Sequence, residues 1–349
     1  MNDLLGRVTD RVPIDGHDGR SGAHLERGVL DGRRVVVKTV DPDTDLSLLL
    51  GGDPSGRERR LWADGVLDRL PKGTGHALVA AGWTGGRLVT VMRDLGAAVL
   101  SWDRRITPAE LRRLFDGLAA VHGAFAERPP AGLCDLATRL TLFAPDDLAP
   151  LAERFALIAA VRRGWECFAE LVPAAVTDAV FDTLREPAGL VATLGGAPST
   201  LCHGDAWLVN IALTDDAVVL LDWALATAGP ASLDLVAFTV GCASHVDLPR
   251  AAVLAAAREA CRPLVDDTVW GATVFWALCE LGWNKALDAA THADPAQRAA
   301  AAAELAWWVE QADAALSRNG HPAARTGVFC SDHPSAPSRP DTLRSCGFW

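Results

Sequence analysis

Short stretches in which apolar and polar residues alternate dominate the first quarter of the chain. Residues 11–14 form one candidate strand, and residues 55–70 place apolar side chains on one helical face. Two pairs of stretches flank turn sequences that are typical of β-hairpins: residues 25–30 and 35–40 around Asp31-Gly32, and residues 78–83 and 88–92 around Thr84-Gly85-Gly86. This pattern predicts a β-rich N-terminal part with one main helix.

Beyond residue 96, apolar residues recur at helical spacing. Thr107-Pro108-Ala109-Glu110 combines a capping box with proline at the first helical position, and the apolar stripe behind it includes His122. We interpret His122 as a packed core histidine rather than a ligand. Six further helices are predicted, with a break at Pro187: residues 145–156, 157–171, 173–194, 249–262, 266–289 and 295–318. The whole pattern predicts an α+β fold.

The stretch Leu201–Asp234 carries the strongest chemical signal. His203-Gly204-Asp205 is followed five positions on by Asn210, and two apolar runs around the turn residues 214–217 predict a hairpin that ends at Asp222. Such a hairpin brings Asn210 and Asp222 to the same end. One carboxylate beside an attacking hydroxyl, with oxygen ligands for a metal on the phosphates, is the set of groups that phosphoryl transfer requires.

HGD-x4-N followed by a hydrophobic strand that ends in LDW resembles the catalytic core of the aminoglycoside phosphotransferase family, small-molecule kinases of the protein-kinase-like fold. The resemblance implies that Asp205 is catalytic and that Asn210 and Asp222 hold Mg²⁺. It also implies structural support of the catalytic loop by His203 and Asp234.

The catalytic loop departs from the family's pattern at two positions. Trp207 and Val209 stand where that family often has histidine and glycine. We therefore expect Trp207 to contribute to the side of the loop that faces the substrate.

A nucleotide site is expected in the first ninety-five residues. Lys38 lies in an apolar strand, and the resemblance implies that it contacts the phosphates of ATP or GTP and pairs with a helix glutamate. Glu58 is the favoured partner, with Asp64 as the alternative. The Gly-bearing turn at residues 15–22 predicts backbone contacts to the phosphates, made by Ser21 and Gly22. The resemblance also predicts that a hinge contacts the nucleobase, through Met92, Arg93 and Leu95.

Composition and net charge limit the kinds of partner and the cellular location that we expect for this protein. The chain has 349 residues, is 50% hydrophobic and carries a net charge of −11, which argues against a nucleic-acid partner and is compatible with a cationic acceptor. Its eight cysteines show no metal-ligand spacing and are expected to be reduced. Neither a signal peptide nor a membrane helix is predicted, so a cytoplasmic location is expected.

The expected architecture is bilobal. Residues 1–95 form the predicted nucleotide-binding lobe, residues 96–320 the helical lobe for catalysis and substrate, and residues 321–349 a disordered or loosely docked tail. Asp234 follows within twelve residues of Asp222, which leaves little chain for a peptide-docking segment and favours a small acceptor.

The predicted reaction transfers the γ-phosphoryl group of a nucleoside triphosphate to a hydroxyl of a small molecule. An aminoglycoside-type antibiotic is the leading acceptor, with choline-like amino alcohols or sugars as alternatives. Glu280 and Trp283 are candidate contacts for a cationic amine, although most tryptophans of that helix are expected in the core. A catalytically silent nucleotide-binding or scaffold protein on the same fold is the alternative outside the enzymes. The oligomeric state does not follow from the sequence.

Overall fold

The computed structural model of the protein describes residues 1–14, 22–148 and 151–318. They form two compact units. The first comprises Met1–Leu142 and Leu194–Val269, and the second comprises Phe143–Thr193 and the described residues from Trp270 onward. The predicted boundary at residue 95 lies inside the first unit, so the division into two lobes stays a prediction. The predicted tail, residues 321–349, lies outside the described residues.

A five-stranded antiparallel sheet forms the N-terminal part of the first unit. The strands and helices of this part are α1 (Asn2–Gly6), β1 (Val8–Pro13), β2 (His24–Leu30), β3 (Arg33–Val40), α2 (Leu46–Leu50), α3 (Arg57–Ala63), β4 (Thr74–His76), β5 (Leu78–Thr84) and β6 (Arg87–Arg93). The sheet order is β1-β2-β3-β6-β5, and both predicted hairpins are present. Asp31 and Gly32 both adopt positive φ, as a two-residue hairpin turn requires.

The main helix is shorter than predicted. Helix α3 ends at Ala63, because Gly65 adopts a φ of 65° and its N–H donates to the carbonyl of Trp62, while the N–H of Val66 donates to Leu61. This pair of hydrogen bonds is a Schellman motif, which ends a helix at a left-handed glycine. The remaining predicted residues form a separate 3₁₀ turn at Leu67–Arg69.

The two faces of β3 serve different purposes. Val35 and Val37 are buried in the core of the sheet, where Val37 lies opposite Val91 of β6. Because side chains alternate along a strand, Val36 and Lys38 point to the other face. Strand β3 therefore joins the core of the sheet to a cavity on its far side.

The rest of the first unit surrounds the stretch Leu201–Asp234. Its elements are α4 (Pro108–Phe125), α5 (Leu136–Leu140), β7 (Thr200–Cys202), β8 (Ile211–Leu213), β9 (Val218–Leu220), β10 (Thr227–Gly229), α10 (Ser232–Cys242) and α11 (Arg250–Cys261). The capping box at Thr107 and Glu110 is formed. The predicted hairpin is β8–β9, in which Ile211 pairs with Leu220, and β4 adds a parallel strand beside β9.

The second unit is helical. It is built from α6 (Pro145–Leu148), α7 (Ala156–Leu171), α8 (Ala174–Arg185), α9 (Ala188–Leu194), most of α12 (Asp267–Thr291) and α13 (Pro295–Arg318). The predicted break at Pro187 separates α8 from α9. The helix predicted over residues 145–156 is wrong: α6 spans a single turn, and the extended backbone of Phe155 precedes α7.

Two further sequence predictions concern cysteines and membranes. The six cysteines within the described residues are buried and form no disulfide, as expected of reduced thiols. In the described part of the chain, no helix has the length and apolar content that crossing a bilayer requires. The cytoplasmic location stays a prediction.

Helices α7 and α12 pack closely at Gly164, and this contact yields a stability test. A Cβ added at Gly164 would lie 2.3 Å from the carbonyl oxygen of Trp283. We expect Gly164→Ala to lower the free energy of unfolding by about 1–3 kcal/mol through overpacking. Gly189→Ala in α9, where nothing lies within 4 Å, is the control and should be neutral or slightly stabilising. Chemical denaturation of both variants measures the difference, and equal stabilities would contradict the close packing.

Candidate active site

The catalytic loop leaves β7 at His203 and returns through a 3₁₀ turn at Leu208–Asn210. The carboxamide nitrogen of Asn210 donates to the backbone oxygen of Asp205 at 3.0 Å and to its carboxylate Oδ2 at 2.8 Å. The predicted catalytic aspartate and the predicted metal ligand are therefore in direct contact. Because the nitrogen of Asn210 makes both contacts, its carboxamide oxygen is available to a cation.

Asp222 follows β9 and lies at the same end of the hairpin. The N–H of Leu221 donates to the backbone oxygen of Asn210 at 2.8 Å, which brings the two predicted metal ligands together. Asp222 Oδ2 accepts from Lys38 Nζ at 2.5 Å, whereas Oδ1 is buried and has no hydrogen-bond partner among the described residues. Divalent cations such as Mg²⁺ prefer carboxylate and amide oxygens. The unpartnered Oδ1 and the carboxamide of Asn210 fit such an ion.

Lys38 supplies the positive charge of the site. Its side chain is 10% exposed. Burial alone would lower its pKa, but the carboxylates of Asp222, Glu58 and Asp45 overcome that effect and raise the pKa of Lys38 above its ordinary value. The ammonium group therefore stays protonated and can neutralise phosphate charge.

Glu58 is placed beside this ion pair rather than as the hydrogen-bond partner of Lys38. Its Oε1 accepts from the backbone N–H of Trp223 at 3.2 Å. Loss of solvent around Glu58 raises its pKa to about 7, although Lys38 acts in the opposite direction. The alternative partner, Asp64, is exposed at the end of α3. The structure thus supports Glu58 as part of the charge cluster and gives it a second contact that the sequence did not predict.

A cavity of about 330 Å³ joins these groups to the predicted hinge. Lys38, Asn210 and Asp222 line it together with all three predicted hinge residues: Met92, Arg93 and Leu95. Its remaining wall is largely apolar and includes Val36, Leu100 and Leu221. An apolar pocket with charged groups on one side suits a nucleobase and its phosphates.

The predicted glycine-rich turn is only partly described. Gly22 has a φ of 98°, and its neighbour Ala23 lines the cavity. Ser21 lies outside the described residues. The phosphate contact of this turn stays a prediction.

Asp234, at the start of α10, organises the catalytic loop from behind. Its Oδ2 accepts from the N–H of His203 at 2.7 Å and lies 2.9 Å from His122 Nε2, while Oδ1 accepts from the N–H of Gly204 at 2.9 Å. Burial opposes ionisation, but these donors and the nearby imidazoles hold the pKa of Asp234 below its ordinary value. This arrangement is the one expected of a residue that supports the loop.

His122 is the member of this network that sequence reasoning missed. It is fully buried on the apolar stripe of α4, as predicted, but its ring contacts Asp234. The sequence feature that could have predicted this contact is a polar histidine on the apolar stripe of a helix, because a buried imidazole needs a hydrogen-bond partner.

The catalytic loop also packs directly on the segment after Asp222. An added Cβ at Gly204, whose φ is 79°, would lie 1.9 Å from the carbonyl oxygen of Leu225. His203 Nε2 lies 2.8 Å from the carbonyl oxygen of Leu221, so this nitrogen carries the proton. The ring also meets the indole of Trp223 edge-on at 4.7 Å between centroids. Burial lowers the pKa of His203, which keeps the imidazole neutral and structural.

The three predicted substrate residues are all buried. Trp207 is 4% exposed, and its ring lies against Gly241 of α10, where an added Cβ would overlap it. Glu280 and Trp283 are 2% and 0% exposed within α12. None of these side chains presents a face to solvent, so the predicted acceptor contacts have no support in the structure. Val209, the other departure from the family's pattern, instead lines the cavity.

Comparison with known proteins identifies the family. The sequence model of the phosphotransferase enzyme family (APH) matches residues 57–267, a stretch that contains Glu58, the catalytic loop, Asp222 and Asp234. The chain belongs to this family. No curated protein matches the sequence. The enzyme is therefore a small-molecule phosphotransferase with a hydroxyl group as acceptor, and its family uses ATP and a divalent metal ion.

Two solved kinase structures show the same fold at low sequence identity. The microcompartment-associated aminopropanol kinase is 14% identical, with a TM-score of 0.51 over 92% of this chain and 98% of that one. The ethanolamine kinase of Plasmodium vivax is 12% identical, with a TM-score of 0.51 over 88% and 83%. An aminoglycoside phosphotransferase of Alicyclobacillus acidocaldarius is 15% identical, with a TM-score of 0.47 over 93% and 97%. The kinase-like α+β fold predicted from the sequence is confirmed.

Replacement of Asp234 tests its support of the loop. Asp234→Asn puts an amide in place of one acceptor oxygen, and we expect the free energy of unfolding to fall by about 1.5–3 kcal/mol and turnover to fall with it. The folded-state pKa of Asp234 lies below the unfolded value of about 3.9, so its stabilisation is complete above that pH and is lost as the pH falls through the folded pKa.

The difference in unfolding free energy between wild type and Asp234→Asn should therefore be constant near neutral pH and shrink below about pH 4. Denaturant titrations across this pH range measure it. Asp216→Asn, at an exposed hairpin turn, is the matched control. A difference that does not change with pH would contradict the ionised, hydrogen-bonded carboxylate.

Proposed function

We propose that this phosphotransferase moves the γ-phosphoryl group of ATP, or GTP, to a hydroxyl of a small cationic acceptor, with an aminoglycoside-type antibiotic as the leading candidate. One observation carries the proposal. Lys38, Asn210 and Asp222 line a single cavity, and Asn210 holds Asp205 by two hydrogen bonds.

Each residue has a distinct role in this proposal. Lys38 binds phosphate oxygens, Asn210 and Asp222 hold Mg²⁺, and Asp205 orients the acceptor hydroxyl and takes its proton late in a loose transition state. A bound magnesium ion screens the negative charge of the phosphoryl oxygens. Asn210 would bind the metal and also holds Asp205, which would meet the acceptor. One side chain therefore fixes the position of these two groups relative to each other.

The cavity supports the nucleotide part of the proposal. Its hinge side, formed by Met92, Arg93 and Leu95, would receive the base, while Lys38 and Asp222 lie where the phosphates would be neutralised. Main-chain groups of a hinge recognise a base without large side chains, so both ATP and GTP remain candidates as donors.

Amino alcohols are the second acceptor class. The aminopropanol and ethanolamine kinases reach a TM-score of 0.51 with this chain, and their names describe acceptors that also join a hydroxyl to an amine. A sugar is the third. The net charge of −11 favours a cationic acceptor, and the short chain between Asp222 and Asp234 favours a small one.

Asp205 and Asp222 should fail in different ways when replaced. We expect Asp205→Ala to lower kcat about 10²–10⁴-fold and to leave the affinity for the metal–nucleotide complex nearly unchanged, because Asp205 serves the acceptor. Asp222→Ala should weaken binding of that complex, since it removes the buried carboxylate. Steady-state kinetics and nucleotide titrations separate the two effects.

The control for this pair is Asp215→Ala, an exposed residue in the turn between β8 and β9. It should match wild type in both measurements. Undiminished transfer by Asp205→Ala, or normal binding of the magnesium–nucleotide complex by Asp222→Ala, would sink the corresponding assignment.

A panel of acceptors identifies the substrate class. Release of ADP or GDP is measured with aminoglycosides, nucleoside antibiotics, amino alcohols and sugars, and Asp205→Ala serves as the background for each. We expect acceptor-dependent release with aminoglycosides. Release with amino alcohols alone would transfer the assignment to the second class, and measured absence of nucleotide binding would favour a catalytically silent protein.

A further inference from the structure

Helix α3 carries two adjacent buried side chains that both reach the segment behind Asp222. That segment, the 222 turn, is the 3₁₀ turn Trp223–Leu225 with Asp222 at its start. Glu58 accepts from the N–H of Trp223, as described above. Arg57, which is 3% exposed, donates through Nη1 to the carbonyl oxygen of Ala224 and through Nη2 to that of Gly51 at 3.1 Å.

Asp222 itself needs such restraint. Its φ and ψ are 59° and 75°, in the left-handed region that residues with a side chain rarely adopt. A residue held there relaxes to an ordinary conformation unless the surrounding structure prevents it. The two polar contacts from α3 fix the peptide groups on the C-terminal side of Asp222, one through an N–H and the other through a carbonyl.

Burial of the Arg57 guanidinium costs desolvation free energy, which is unusual for a purely structural contact. It is buried against neutral carbonyl oxygens, and its Nε has no hydrogen-bond partner among the described residues. An arginine in this setting loses its hydration without a carboxylate on its donor groups in return. What it provides is a rigid fork, which can hold two carbonyls in fixed positions.

The backbone of Arg57 is also held in place. Its backbone N–H donates to the carboxylate of Asp53, which is 1% exposed, and Arg60 Nη2 lies 3.4 Å from the same carboxylate. The start of α3 is thereby anchored before the guanidinium reaches the 222 turn. Arg60 also donates to the carbonyl oxygen of Gly132, so it joins the start of α3 to a second segment of the chain.

We propose that Arg57 is a positioning residue for Asp222. By holding the carbonyl of Ala224, it keeps Asp222 in the left-handed conformation that presents the carboxylate to the cavity. The inference rests on the proposed function, in which Asp222 holds the metal ion of the metal–nucleotide complex. It assigns to α3 a role in metal affinity in addition to the charge that Glu58 places near Lys38.

Two full-length variants test this role. Arg57→Met keeps much of the side-chain volume and removes every donor, and Arg57→Lys keeps the charge but cannot hold two carbonyls with a fork. Arg59→Met on the same helix, where Nε donates to the backbone oxygen of Ser55 at 3.4 Å, is the matched control. Calorimetric titration with ADP is done without metal and with Mg²⁺, and the ratio of the two affinities gives the contribution of the metal.

We expect Arg57→Met to reduce this metal contribution about 10–100-fold, the range typical when a residue that orients a metal ligand is lost. Arg57→Lys should show an intermediate loss. Affinity for ADP without metal should stay at the wild-type value, because it depends on Lys38 and the hinge. Arg59→Met should match wild type in both titrations.

Two results would overturn the proposal. The first is a metal contribution that equals the wild-type value in both Arg57→Met and Arg57→Lys. If Arg57→Met does not fold, the wild-type value in Arg57→Lys alone overturns the proposal. The second is an equal loss of affinity with and without metal, which indicates general damage to the unit. Failure of the proposed function is distinguishable, since wild type itself would then bind no ADP with or without Mg²⁺.

Discussion

A single ionised carboxylate, shielded from water, sets the direction of the catalytic loop. Asp234 accepts hydrogen bonds from two consecutive backbone N–H groups, at His203 and Gly204, and from the ring of His122. Two adjacent N–H groups that point to one carboxylate determine the orientation of the peptide planes between them. The position of Asp205, the next residue, follows from that orientation. A neutral or displaced side chain at residue 234 would leave these donors buried without a partner, which is costly.

The second constraint is the concentration of charge around Lys38. Three carboxylates raise its pKa, and each contributes to a different part of the site: Asp222 faces the cavity, Glu58 holds the 222 turn, and Asp45 caps α2. A buried ammonium is stable only among such partners. The same lysine therefore connects three segments of the first unit, and in the proposed function it supplies the cation that phosphate groups require.

Close contacts join the catalytic loop to the 222 turn. The catalytic loop and the 222 turn touch at Gly204 and Leu225, and His203 bridges them through the carbonyl of Leu221. These contacts involve backbone atoms, so they depend less on the identity of neighbouring side chains than on the path of the chain. A glycine at position 204 permits the approach because any Cβ would overlap the Leu225 carbonyl.

Local pattern in the sequence was sufficient for much of this protein. Turn chemistry at Asp31-Gly32 and the capping box at Thr107 predicted element boundaries, because both depend on a few adjacent residues. The two apolar runs around residues 214–217 predicted that Asn210 and Asp222 lie together, since a hairpin brings its two ends together. Tertiary structure decided what depends on distant neighbours: that Trp207 fills the core, and which atoms the charged side chains of α3 reach. Burial and hydrogen bonding between segments far apart in the chain have no local signature, and for that reason only the folded structure reveals them.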